Sequence, residues 1–292
     1  MMFALPAILS QASSSLPFLL SPLFCPILLI ESGWTISSTN VSYFLANQAY
    51  NVSLVSGTQL NNLNGITGYT FDGVNDYAGF PNARHFNWAN RCQQYTVALL
   101  FFANSGSTNK QQIIGTSPSS QVTVGVQIEI DNSTNLINCT IKSVLTGTAY
   151  PVSISAPFTK GEWQLLIWSG YNVHSIGQDS CSFIRMNGGN NIFNPDPGTS
   201  VRPFQWSSTG HSLILRLGGS TTGEYFSGRI AEFIYIPYTL TMEAIYRLEA
   251  HITGVRNLKS ILPSNHPYKN ITPSRFSDAT KYYNVNNPLD LN

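Results

Sequence analysis

From about residue 16 to residue 240 the chain is a succession of short apolar or alternating runs separated by turn-forming residues. Tyr95 to Phe102 is continuously apolar, as in a strand covered on both faces. Gln121 to Ile130 alternates, with Val122, Val124, Val126, Ile128 and Ile130 on one side. The runs 135–142, 150–154, 163–168, 182–186, 212–217 and 229–236 follow in the same style. Asn187-Gly188-Gly189 directly after a run predicts a tight hairpin turn, since both central positions accept positive φ. The helical period appears once. Over Thr241 to Thr253, Thr241 serves as N-cap, Glu243 lies in the first turn, Met242, Ile245, Leu248 and Ile252 form an apolar stripe, and Gly254 supplies the stop. Short strands followed by one helix predict an all-β, two-sheet antiparallel sandwich with the helix on an edge or end.

Three segments follow: an N-terminal arm, 1–15; the sandwich, 16–255; and a tail, 256–292, expected to be extended because it is proline-rich and aperiodic. Leu16 to Ile30 is apolar but short for a membrane span and interrupted by Pro17, Pro22 and Pro26, so it is expected as a buried, extended lead-in without membrane insertion. No basic stretch precedes it, and the chain starts at Met1. The expectation is a protein made and assembled inside a cell without signal-directed export.

Charge changes the picture further. Only 10% of the 292 residues are charged, against roughly 25% in an ordinary domain. Asn, Ser, Thr, Gly and Tyr take their place, making surfaces that bond through hydrogen bonds and implying cover by neighbours in an assembly. A net charge of +1 gives no electrostatic case for nucleic acid. The four cysteines, Cys25, Cys92, Cys139 and Cys181, are too widely spaced for a metal knuckle or redox pair and are read as small core residues, although three disulfide pairings are formally open.

Phe71-Asp72-Gly73-Val74-Asn75-Asp76-Tyr77 resembles the FDGxxDY stretch of the laminin-G-like domains of the concanavalin A-like lectin/glucanase superfamily. In the same order, Gly161-Glu162-Trp163 resembles that family's strand start, Ile184 to Gly188 its NG hairpin, Leu217-Gly218-Gly219 with Tyr225 to Ile234 its GxIaE strand, and Leu240 to Ile252 its closing helix. The resemblance implies a jelly-roll sandwich over residues 16–255; the fold serves lectins, glycosidases, adhesion modules and virion proteins.

The family's glucanases use E-x-D-x-E or E-x-D-x-x-E on one strand, so that alternate carboxyls flank a glycosidic bond. Glu129 and Asp131 supply the first two positions, but Ser133 and Thr134 stand where the third acid belongs, so no catalytic residue is assigned. Asp72 and Asp76 are read as a turn and its cap, with no cofactor; calcium held by that pair is the alternative. For glycan binding, Trp88, Trp206 and Tyr225 are the aromatic candidates in polar surroundings. The leading expectation is a non-enzymatic structural protein of a virus or phage particle, a capsid decoration, minor capsid or tail component. Its partners would be other virion proteins or copies of itself, bound through the two arms, and host-surface glycans at the sandwich rim. The alternatives are a soluble or cell-surface lectin, and a degenerate glycoside hydrolase.

Overall fold

The computed structural model describes residues 28–31, 40–45, 48–80, 94–106, 110–118, 125–145, 148–171, 181–193, 213–220, 223–236 and 239–272. The strands are β1 Leu28–Glu31, β2 Asn40–Leu45, β3 Gln48–Val55, β4 Gln59–Leu63, β5 Ile66–Asp72, β6 Tyr77–Phe80, β7 Gln94–Ala103 and β8 Lys110–Pro118. They continue as β9 Gly125–Asp131, β10 Leu136–Leu145, β11 Thr148–Pro157, β12 Trp163–Tyr171, β13 Cys181–Met186, β14 Ile192–Phe193, β15 Leu213–Leu217 and β16 Ser227–Ile236. The helix is α1, Met242–Val255. Among the described residues, no helix is long and apolar enough to cross a membrane.

The strands make two eight-stranded sheets. One runs β14-β13-β12-β7-β16-β5-β4, with β1 also paired to β16; the other runs β11-β10-β9-β8-β15-β6-β3-β2. Every described pairing is antiparallel. The all-β sandwich with one C-terminal helix is thus what the sequence pattern required. β1 places the end of the expected lead-in segment against β16. The arm 1–15 and residues 273–292 lie outside the described residues.

Two apolar layers hold the sandwich. Between the sheets lie Phe71, Val97, Leu99, Phe101, Ile128, Ile130, Leu166, Trp168, Phe226 and Phe233. The Tyr95 ring meets Trp168 edge-on at 5.2 Å. Ser182 Oγ bonds both polar tips, accepting from Trp168 Nε1 and lying 3.0 Å from Tyr95 Oη. The second layer forms because β7, β12 and β16 are apolar on their other face too, where Ala98, Leu100, Leu165 and Ile167 pack under Ile245, Leu248 and Ile252 of α1. The continuous run at 95–102 is therefore the middle of three layers. A bulge between Ile230 and Glu232 turns Glu232 to the helix side, where Arg256 Nε holds it at 2.7 Å.

Two local expectations are corrected. Gly254 does not stop the helix, which runs to Val255; the left-handed residue is Asn257, at φ 55°. Gly254 is needed because a Cβ there would strike the Thr272 side chain. The described part of the tail, 256–272, is not extended. It forms a 3-10 turn at Lys259–Ile261 and further turns, with Leu262 and His266 buried against Gly188. Its prolines set turns, and the compactness comes from contacts distant in sequence.

Candidate functional site

The stretch at 71–77 carries the chain from β5 in one sheet to β6 in the other. Asp72 Oδ1 accepts the amides of Val74, Asn75 and Asp76 at 2.7–3.4 Å, and Gly73 takes φ 80°. Partial burial pushes the Asp72 carboxyl up, but these backbone donors outweigh it and hold the group below its ordinary value. Asp76 is buried. Its Oδ2 accepts the Asp72 amide at 3.1 Å, and its Oδ1 the Gly57 amide at 2.6 Å. Gly57 sits where β3 of one sheet passes into β4 of the other, so Asp76 fastens two inter-sheet crossings at one rim. Phe71 anchors the same corner in the core, against Phe226 at 6.1 Å. Both carboxylates thus accept backbone amides, Asp72 within its own turn and Asp76 across to Gly57. Among the described residues, no three His, Cys, Asp or Glu side chains are grouped so as to hold a metal ion.

The family-like acids behave in the same local way. Asp131 ends β9 and accepts the hydroxyl and amide of Ser133, the main reasons its carboxyl lies below the ordinary value. Glu129 has Lys110 Nζ at 3.8 Å and is in register with Gln112 and Asn138. The other titratable centre is fully buried: Arg185 of β13, Glu249 of α1 and His266 form one hydrogen-bonded group that pins helix and C-terminal segment to the sheet.

Of the aromatic candidates, Trp88 and Trp206 lie outside the described residues. Tyr225 is half-buried on the loop between β15 and β16, its ring over Gly219, where a Cβ would collide with it. The same Cβ would lie 3.4 Å from Tyr77 Cβ, so Tyr77 and Tyr225 flank one side of Gly219. Arg216 of β15 stacks on the Tyr77 ring, its guanidinium carbon 4.2 Å from the ring centroid. Its Nη1 donates to Ser220 O at 2.9 Å, while its Nε is buried without an acceptor. No carboxylate pairs with Arg216 among the described residues.

These groups occupy the face of the second sheet turned away from the core. Leu217 and Ala78 point inward with Ile114, Ile128 and Cys139, so Arg216, Tyr77 and Gln127 point outward. One outward row reads Ser153, Thr140, Gln127, Gly115, Arg216, Gly79; the next reads Ser155, Asn138, Glu129, Gln112. Glycine on both sides of Arg216 leaves it without lateral side-chain neighbours in its row, apart from the Gln112 amide lying over Gly115. The site thus holds two tyrosines, a stacked cation without a counterion among the described residues, and a surround of amides and hydroxyls. Sequence reasoning missed Arg216 and Tyr77. The available signal was an arginine inside the otherwise apolar run Leu213-Ile214-Leu215-Arg216-Leu217.

No family model matches the sequence, and no curated protein matches it. Among solved structures, the receptor-binding domain of botulinum neurotoxin C/D mosaic serotype is similar over 78% of this chain and 51% of its own, with TM-score 0.52 and 12% identity. Trypanosoma rangeli sialidase is similar over 81% of this chain and 35% of its own, with TM-score 0.51 and 10% identity. The same sialidase in complex with sialic acid gives 76%, 32%, 0.51 and 11%. The chain spans about half or less of the length of these proteins. At such identities the likeness establishes architecture alone, a sandwich of two antiparallel sheets.

Proposed function

We propose that this chain is a non-enzymatic, glycan-binding β-sandwich of the laminin-G-like, concanavalin A-like type, and that the outer face around Arg216, Tyr77 and Tyr225 is its binding site. The observation that carries the reading is Arg216 itself, stacked on Tyr77 and without a carboxylate partner among the described residues, beside a second half-buried tyrosine. Sugars are bound by aromatic faces for their C–H surfaces and by amides and hydroxyls for their rims, and this face offers both. In keeping with it, proteins of the same architecture include a toxin's receptor-binding domain and a sialidase solved with sialic acid, a likeness of fold rather than of site. Catalysis has no support in the acids: Asp131 is committed to its turn as an ionised cap, and Glu129 faces Lys110, Gln112 and Asn138 rather than a second carboxyl. The test is a glycan microarray with wild-type protein and Tyr225→Ala. Saturable binding lost in the variant is expected; binding indifferent to Tyr225→Ala, or none, would contradict the site.

The particle-borne role is a second reading, favoured by the charge-poor composition. Its N-terminal arm, 1–15, and the end of its tail, 273–292, lie outside the described residues, and its test is incorporation of the chain lacking 273–292 into particles. That truncation spares the folded turns at 256–272; unchanged incorporation would remove the C-terminal arm from the account.

A further inference from the structure

We infer that the ligand of this face is an acidic oligosaccharide, whose sugar carboxylate binds the guanidinium edge of Arg216; the inference rests on the glycan reading above. A guanidinium has five N–H donors in a planar fork. In Arg216 one Nη1 hydrogen goes to Ser220 O, the buried Nε hydrogen has no acceptor, and the remaining Nη1 and Nη2 hydrogens have no acceptor among the described residues. The Tyr77 ring covers one face of the plane, which fixes the fork and leaves its edge as the available approach. Of the described arginines, Arg185 pairs with Glu249, Arg247 with Glu243 and Arg256 with Glu232, whereas Arg216 and Arg229, the latter over the Phe102 ring, have no described acidic partner. Arg216 is distinguished from Arg229 by its place beside Tyr77 and Tyr225 on the outer face of the second sheet.

The neighbours fit a carboxylate on a sugar better than a free anion. In the row, Gly79 and Gly115 flank Arg216 with no side chain of their own, and the Gln112 amide lies over Gly115. Tyr225, half-buried, offers a ring for the sugar's apolar side, while Gln112 and Ser220 are buried beside Arg216 and support the site from below. A lone planar fork matches a planar carboxylate bidentately. No second cation is described beside it to meet the extra oxygens of a sulfate. Glu224, exposed on the same loop, is the acid nearest in sequence; its backbone carbonyl accepts the Gln112 amide at 3.3 Å.

The experiment is titration calorimetry of the full chain with sialyllactose, its methyl ester, lactose, lactose sulfate and a glucuronate-containing tetrasaccharide. Binding of at least one carboxylate sugar is expected, weaker for the methyl ester by about ten- to a hundredfold, the worth of one charge-assisted contact. Arg216→Gln should show the same loss and bind ester and acid alike, with an unchanged melting temperature checked alongside. Should Arg216→Gln fold poorly, the acid–ester comparison on wild-type protein decides alone. Equal binding of acid, ester and lactose that depends on Tyr225 would overturn the acidic ligand and leave the glycan reading standing. Sulfate preferred over carboxylate would overturn it too. No binding of any sugar would overturn both.

Discussion

Replacing Glu249 by alanine probes how helix, sheet and C-terminal segment are joined. Its carboxylate receives Arg185 Nε at 2.8 Å and Nη2 at 3.2 Å, and His266 Nε2 stands 3.0 Å away. The Tyr268 amide can only donate, so His266 Nδ1 accepts from it at 3.2 Å and Nε2 carries the proton toward Glu249. The imidazole is neutral in this arrangement, and the group as a whole holds one buried ion pair. Arg185 is otherwise satisfied by Asn191 Oδ1 and Gly188 O and covered by the Tyr246 ring. Glu249→Ala therefore strands a buried arginine, at a cost of about 3–5 kcal/mol. In a chain of this size that lowers the melting temperature by roughly 10 °C. Removing both charges, in Arg185→Met with Glu249→Leu, strands no ion and should cost less than Glu249→Ala alone, although Gly188 O and His266 each lose a partner. Urea unfolding of the wild type, Glu249→Ala, Arg185→Met, Glu249→Leu and the double variant, followed by tryptophan fluorescence, gives both the stranding cost and the coupling energy. A Glu249→Ala cost below about 1 kcal/mol, or a double variant as unstable as the sum of its singles, would refute the reasoning.

Glycines of matched φ but unequal surroundings give a second check: Gly218 (φ 84°) would drive a Cβ into the Phe71 ring, whereas Gly65 (φ 83°) has nothing within 4 Å. Gly65→Ala should cost about 1 kcal/mol of backbone strain and Gly218→Ala about 1–3 kcal/mol more; equal losses in chemical denaturation would contradict the packing. The Tyr268 hydroxyl donates to Glu243, tying 256–272 to α1. Burial pushes the Glu243 carboxyl up, but Tyr268 and Arg247 outweigh it, so its folded value lies below 4.5; Glu243 in turn raises Tyr268 above 10.0. The stabilisation is complete between those ordinary values and is lost as pH falls through the folded value of Glu243 or rises through that of Tyr268. The cost of Tyr268→Phe, read by thermal melts, should be flat from about pH 5 to 9 and shrink in acid; growth in acid would contradict it. Cys139 is buried, and burial raises its thiol. Iodoacetamide mapping by mass spectrometry should leave it unlabelled in the native protein and label it only on unfolding.

The parts of this fold that were legible in the sequence are those governed by near neighbours. The Asp72 turn, the Asn187-Gly188 hairpin (φ 52° and 72°) and the Thr241 cap each close within a few residues, so residue type and spacing suffice. Strand runs were legible because alternation reports which face is buried. Gly254 was misread because its need for glycine comes from Thr272, and the compactness of 256–272 was hidden because Leu262 and His266 pack on residues far up the chain. The candidate site had one named member, Tyr225. Arg216, Tyr77 and Gln112 meet it only through the register of β6, β15 and β8, which no local spacing encodes.

The account's central claim is that one outer sheet face binds a sugar at Arg216, Tyr77 and Tyr225. Titrating isotope-labelled protein with the tightest oligosaccharide found, and following backbone amide shifts by NMR, tests it most directly. Shifts saturating together at Tyr77, Gly115, Arg216, Gly219 and Tyr225, with α1 and the Arg185–Glu249–His266 centre silent, are the predicted result. Saturable shifts confined to other surfaces, with those five amides unmoved, would contradict it.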